Sequence, residues 1–437
     1  MGTATFKVMS PISPDNPVIL RHDLICYICG SCKRTCSMNM TVLGHYDESE
    51  GIKCIYCGQC VRNCVGFAMD EVGCYDDVNA AIADKTKTVV AFVSPAVRAS
   101  IGEAFGMSSD KPVMGKIVTL LRNMGFDYVL DTASAADLTV IEEAHELLNK
   151  MERADNTPLF TSCCPSWVRF AELFYPNVCK YISSCKSPIA MMGAAVKLWF
   201  EKHKGISPKD LVTVAITPCV SKKYEMTLPD MSSSGARDVD FVMTARELVN
   251  ISKENRVRLA KLEDGTPDSI FGEPTADGVH FGFSGGVAMA VINTVYNKLT
   301  GKNEAAPIEI TDLPDKLGEK ITADIDGKKL NCAVIWGTGN VRRFLDTQNA
   351  NEYQLIEVMA CPGGCISGGG QPKDYSIKGC NPAPGRKKTL ENYSVKQRFS
   401  YQNPYLADIY SEFFTAPGAE NAVKYLHRHE NKEGKSC

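Results

Sequence analysis

Short runs of aliphatic and β-branched residues alternate along most of this chain with longer stretches whose apolar positions recur every three to four residues. Thr88–Val93 (TVVAFV) is apolar at nearly every position and short enough to be a buried strand; a loop (SPA) and a helix over Val97–Phe105 follow. Helical spacing returns over Val113–Met124 and Ala135–Arg153. Asp127–Leu130, Leu159–Ser162, Leu211–Thr217, Cys332–Trp336 and Tyr353–Met359 read as extended segments. This alternation predicts an α/β body with mostly parallel sheets and flanking helices. In Ala135–Arg153 the apolar stripe is Leu138, Ile141, Ala144, Leu148 and Met151. Glu143 and Glu146 share a face away from it, so the pattern alone predicts both carboxylates in solvent.

The charged run DKTKT at 84–88 separates this body from a shorter region of different character. The expected organisation is an amino-terminal tail over 1–20, a small α+β unit over 21–83 and the large body over 84–437. Within the body, 393–437 forms a helical closing segment.

Composition narrows the chemistry. The 437 residues are 44% hydrophobic and 23% charged, with a net charge of −3, which leaves no basic footprint for nucleic acid. No apolar run reaches the length of a membrane span, and the first residues lack the charged head and apolar middle of a secretion signal, so a cytoplasmic protein is expected. The 19 cysteines are too many for small apolar filler. Secreted disulfide scaffolds are short and carry a signal, so metal ligation is the better explanation.

Cys26, Cys29, Cys32 and Cys36 form C-x2-C-x2-C-x3-C, and Cys54, Cys57, Cys60 and Cys64 repeat it. This duplicated spacing is the signature of two-cluster bacterial ferredoxins, in which the fourth cysteine of each run serves the other cubane. Cys26, Cys29, Cys32 and Cys64 are thus expected to hold one [4Fe–4S] cluster, and Cys54, Cys57, Cys60 and Cys36 the second. Zinc knuckles also use C-x2-C, but not this duplicated octet. Ser37 and Val65 stand where proline usually follows the fourth cysteine. Gly30 and Gly58 lie inside the loops, where a chain wrapping a cluster calls for positive φ.

Further cysteines fall after three of the expected strands, in TSCCPSW (Thr161–Trp167), TPCVSKKYE (Thr217–Glu225) and EVMACPGGCISGGGQP (Glu357–Pro372). The carboxyl ends of parallel strands are where open α/β sheets place ligands. Four thiolates meeting there could hold zinc or a cubane, and spacing does not separate the two.

The three segments closely resemble the active-site signatures of the iron-only ([FeFe]) hydrogenases. The likeness extends through DVDFVMTARE (238–247), FSGGV (283–287) and RFSYQNPYLADIYSEFF (398–414), in the manner of the short members with two ferredoxin clusters. The resemblance implies that Cys164, Cys219, Cys361 and Cys365 hold the cubane of an H-cluster. Cys365 would bridge to a diiron unit bearing carbon monoxide, cyanide and an amine-containing dithiolate. Thr217 and Met359 would lie beside this unit, Thr217 where most relatives have methionine. Lys222 would donate to a cyanide ligand, although Lys222 and Lys223 also fit merely solvated lysines. Gly368, Gly369 and Gly370 would let backbone pass close to the cofactor.

By the same resemblance Cys163 is the thiol that exchanges protons with the amine, and an ordinary thiol pKa near neutrality suits that task. Glu146, Ser183 and Glu143 would continue the relay in that order. Cys185 departs from the family near the relay serine, and Cys74, Cys179, Cys332, Cys380 and Cys437 belong to no motif.

The implied activity is reversible oxidation of H2 to protons and electrons. Electrons would pass through the two cubanes to ferredoxin or a similar carrier, and maturation enzymes would supply the diiron unit. Rival readings are a non-catalytic iron–sulfur assembly relative, a pure electron-transfer protein and a hydrogen sensor. The intact TSCCP and the lysine after the second signature argue against the first.

Overall fold

The computed structural model describes residues 9–108, 111–373 and 382–428; Cys380 and Cys437 lie outside them. Among the described residues, eleven strands form three sheets. The amino-terminal region carries β1 (Ile19–Arg21) paired antiparallel with β2 (Met69–Glu71). Between them, two single-turn helices, Ser31–Arg34 and Gln59–Arg62, each follow a glycine in the left-handed region, Gly30 at φ 71° and Gly58 at φ 69°. The expected tail contributes to this unit, since β1 begins at Ile19 and Ser10 N–H points at Cys32 Sγ, 3.4 Å away.

The body holds two sheets. The first orders β4 (Tyr128–Asp131), β3 (Thr88–Val93), β6 (Leu211–Thr217) and β7 (Phe241–Thr244), all parallel. The near-continuous apolar runs of β3 and β6 follow from burial on both faces. The second orders β5 (Leu159–Phe160), β11 (Leu355–Met359), β10 (Lys328–Trp336), β9 (Gly318–Ile325) and β8 (Ile308–Asp312). It is parallel only from β5 to β10; β9 and β8 run antiparallel to their neighbours.

The expectation captured only the buried half of β10 and neither β9 nor β8. Asp326–Gly327 forms the tight hairpin turn, both residues at positive φ, and the strand halves flanking it are polar and half-exposed. The helix expected over Val97–Phe105 is two pieces, Pro95–Arg98 and a 3₁₀ segment Ile101–Phe105, with Ser100 between them. Tyr75–Ala83, expected to belong to the amino-terminal unit, forms a helix that buries Val78 in the same apolar cluster as β3.

Helix Ala133–Glu152 lies between the two sheets' cores. Leu138 and Ile141 pack on one cluster; Ala136, Val140, Ala144 and Leu147 pack on the other. The single stripe read from sequence is therefore two faces, and burial runs unbroken from Ala133 to Ala144. The carboxyl-terminal segment closes a third side. Asp137, fully buried, accepts from Thr275, Ser400 Oγ and Asn403 Nδ2, which ties that segment to the helix.

Candidate active site between the two sheets

The strand ends position the cysteines. β5 leads into Cys163 and Cys164, and Pro165 starts the next helix at once, so Cys164 is held at the strand–helix junction. β6 ends at Thr217, followed by Pro218 and Cys219; β11 ends at Met359, followed by Cys361. β6 belongs to one sheet and β5 and β11 to the other, so the site sits on the seam.

A cavity of about 70 Å³ lies there, lined among others by Cys163, Cys164, Thr217, Cys219, Lys222, Met359 and Cys365. Cys361 approaches the same group from behind and accepts from Gln59 Nε2 at 3.1 Å. Burial raises the pKa of all four ligand candidates, and the thiols raise one another further at Cys219, Cys361 and Cys365. Four mutually repelling thiols in one dry pocket suit a polynuclear cation, which stabilises the thiolates that burial disfavours. Backbone N–H groups also point at this sulfur set, Ala360 at Cys164 Sγ (3.5 Å) for one, as at iron–sulfur centres. The donor set fits a cubane.

Lys222 is not a solvated lysine. It is buried at the cavity wall, and its Nζ donates to Glu225 Oε2 at 2.8 Å and to the Cys163 carbonyl at 2.9 Å. Lys223 is likewise committed, to Glu247 and the Val242 carbonyl. The glycine run packs tightly against neighbouring backbone. A Cβ on Gly369 would lie 2.0 Å from the Cys57 carbonyl oxygen, and one on Gly368 would lie 2.3 Å from that of Pro218. Backbone-to-backbone packing, against the amino-terminal unit at Gly369 and within the body at Gly368, excludes side chains there.

In that unit Cys26, Cys29, Cys32 and Cys64 line one small cavity, and Cys36, Cys54, Cys57 and Cys60 line another. The second group adjoins the body, because Gln59, between Cys57 and Cys60, reaches both Cys361 Sγ and the Ser367 carbonyl. Cys29 is exposed, and Leu24, Tyr27, Ile28, Val65 and Phe67 form an exposed apolar collar near it.

The carboxylates differ from the pattern-based reading. Glu143 is fully buried, and neither of its oxygens makes a hydrogen bond of sound geometry. Burial, then the charge of Glu146, pushes its pKa up to about 8, against a weak opposing pull from the Ser162 backbone. Glu146 is one-fifth exposed and lies outermost. Burial there is outweighed by contacts to His427, Ser184 and Ser183, which hold its carboxyl below the usual value. Glu143, not Glu146, is the carboxyl whose charge acts on Cys163, so the expected order of the two is reversed. Cys163 itself is driven well above the ordinary thiol range by burial and then by Glu143. That direction favours the protonated thiol over the near-neutral one assumed from sequence.

His427, Glu142 and Ser184 were not legible as site residues. Glu142 accepts from Tyr410 Oη at 2.5 Å and from Gly418 N–H, and lies 2.9 Å from His427 Nε2. Burial would lower the His427 pKa, but its contacts to Glu142 and Glu146 raise it to about 9. The separation of 285 residues between His427 and Glu142 gives no local signal.

A family model described as "Iron only hydrogenase large subunit, C-terminal domain" matches residues 87–369, well over half of the sequence. The chain belongs to the iron-only hydrogenase family. Iron hydrogenase 1 of Clostridium pasteurianum is 37% identical over 429 residues, covering 92% of this chain and 74% of that protein. An apo [FeFe]-hydrogenase HydA1 from Chlamydomonas reinhardtii superposes with a TM-score of 0.71 at 33% identity, over 82% of this chain and 98% of that one. The family is wider than its enzymes: "Cytosolic Fe-S cluster assembly factor narfl" of Danio rerio is 30% identical over 78% of this chain and 85% of its own. This iron-only hydrogenase family member has, among its described residues, no helix long and apolar enough to cross a membrane.

Proposed function

We propose that the chain catalyses the reversible reaction H2 ⇌ 2 H⁺ + 2 e⁻ and exchanges the electrons with ferredoxin or a similar carrier. One observation carries this reading over iron–sulfur assembly: Glu143, a fully buried carboxyl with no side-chain hydrogen-bond partner, stands between the cavity thiol Cys163 and the outer Glu146. A costly buried acid that no side chain holds suits a proton carrier, whereas a cluster-binding scaffold gains nothing from it.

Cys164, Cys219, Cys361 and Cys365 would hold the active-site cubane, with Cys365 also bridging to the diiron unit. When bound, that unit supplies the metal at which H2 is cleaved heterolytically. Cys163 would pass the proton onward, Glu143 would receive it in the dry interior, Ser183 would bridge, and Glu146 would release it at the surface. Lys222, steered by Glu225, keeps a fixed cation at the cavity wall toward an anionic cofactor. Cys36, Cys54, Cys57 and Cys60 would hold the inner relay cubane and Cys26, Cys29, Cys32 and Cys64 the outer one. The apolar collar at Cys29 is where a carrier would approach, in a cytoplasmic setting.

The test is cofactor content and turnover of fully maturated protein. About 14 iron atoms are expected, from two cubanes plus a six-iron site, together with infrared carbonyl and cyanide bands and H2 evolution from reduced viologen. Protein made without the maturation enzymes should hold cubanes only and be inactive. Maturated protein that lacks the bands and the activity would assign the chain to the assembly side of the family.

Thr217 supplies a second test. It lies at the cavity wall, and its hydroxyl gives the pocket polarity and space that a methionine would remove. Thr217→Met is expected to shift the carbonyl bands and the ratio of oxidation to evolution currents in film voltammetry. Unchanged bands with an unchanged ratio would make position 217 neutral.

A further inference from the structure

Cys185, His427 and Glu146 meet on the outer side of helix Ala133–Glu152, with one donor atom from each within 4.8 Å of the others. None belongs to a cluster-binding motif. We propose that these three side chains form a binding site for a single zinc-like divalent cation at the surface end of the proton route.

Three features make this a built site. First, the backbone is pinned on both sides of it. Cys185 and His427 form an antiparallel bridge, with Lys186 N–H donating to the Leu426 carbonyl and Arg428 N–H to the Ser184 carbonyl. Second, the histidine is oriented as a ligand. Its Nε2 lies 2.9 Å from Glu142 Oε2, which as a carboxylate can only accept, so Nε2 carries the proton and Nδ1 turns toward Cys185 and Glu146. A carboxylate behind a histidine is the usual support of a zinc-bound imidazole. Third, Glu146 Oε2 is shielded from solvent and has no hydrogen-bond partner.

The distances leave modest work for the cation. His427 Nδ1 lies 4.0 Å from Cys185 Sγ and 3.5 Å from Glu146 Oε1. Bond lengths of about 2.3 Å to sulfur and about 2.0 Å to nitrogen and oxygen need only slight closure. Ser184 Oγ, now 2.7 Å from Nδ1 and also bonded to Glu146 Oε1, would have to swing aside. It is exposed, so water can enter as the fourth ligand. Binding releases the Cys185 thiol proton and the Nδ1 proton of the His427 imidazolium to solvent, two protons in all. A thiolate–imidazole–carboxylate set suits zinc or cadmium over magnesium or calcium.

The binding site stands on this geometry alone. Its effect on turnover rests on the proton route proposed above, because a cation on Glu146 removes that carboxylate from proton exchange. Chelator-washed, maturated protein is incubated with zinc chloride and desalted. Zinc is then counted by mass spectrometry and its ligands are read by X-ray absorption. About one zinc with a sulfur shell is expected, with at least a hundredfold weaker binding in Cys185→Ala and in His427→Gln at unchanged iron content. Cys332→Ala, a buried cysteine elsewhere, should bind zinc like wild type. Equal zinc and the same sulfur shell in Cys185→Ala would overturn the site, as would no retained zinc in wild type. Zinc should slow H2 turnover in wild type and spare Cys185→Ala, whose zinc-free rate is expected to be normal. Cys185-dependent zinc that leaves turnover untouched would uphold the site and remove Glu146 from the proton route.

Discussion

Cys163→Ala is expected to cut H2 turnover by about 10²–10⁴-fold, the range a positioned acid–base group contributes, while iron content and infrared bands stay close to wild type. Cys163 is no ligand in the arrangement described, yet it lies beside Cys164 on the cavity wall with its thiol held protonated by burial. Removing the sulfur leaves a small void and breaks the first link between the pocket and Glu143. Cys164→Ala should fail differently, losing cubane iron along with activity. Iron analysis, infrared spectra and H2 evolution on the two variants separate these outcomes. Wild-type turnover in Cys163→Ala would mean that protons leave by another path.

Glu143→Gln should do two things at once: lower turnover by a comparable factor and stabilise the protein at neutral pH. The folded-state pKa of Glu143 is about 8, against an ordinary value of 4.5. A carboxyl whose pKa rises on folding costs nothing below the unfolded value. It costs more with each pH unit up to the folded value, and the cost is constant above that. At about 1.4 kcal/mol per unit, the penalty is roughly 3 kcal/mol at pH 7. Glutamine has the same shape and no proton to lose, so it escapes the penalty. Melting curves of variant and wild type should therefore coincide most closely below pH 5 and separate by a few degrees between pH 5 and 8. A gap that does not change with pH would mean that Glu143 is not held neutral. A more stable variant with wild-type turnover would leave the buried acid without a role.

Much of the site was legible because its chemistry is local. C-x2-C spacing fixes which thiols can wrap one cluster, and TVVAFV and LVTVAIT can only be buried strands, so the cysteines after strands were placed where ligands bind. What was not legible depended on distant segments. The two glutamates looked exposed because a helical wheel registers one stripe, whereas this helix is covered from three sides, by both sheets' layers and by the carboxyl-terminal segment. Nothing near Glu146 in sequence announces His427. The thiol pKa assumed for Cys163 was that of water, and the fold removed the water. β8 and β9 were missed because polar, half-exposed strands carry little periodicity, although Asp326–Gly327 did offer a hairpin signal.

The seam between the two sheets has a mechanical consequence. Cys219 is tied to one sheet, while Cys164 and Cys361 follow strands of the other. A cubane bound by all of them would act as a cross-link spanning about two hundred residues of chain. Closing loops that long costs conformational entropy once, in the unfolded chain, and little afterwards. The cluster therefore clamps the halves together, and the empty chain should breathe along this seam. Amide exchange at the ends of β6 and β11 should be fast in the metal-free protein and slow once the cubane is in place, before any diiron unit arrives.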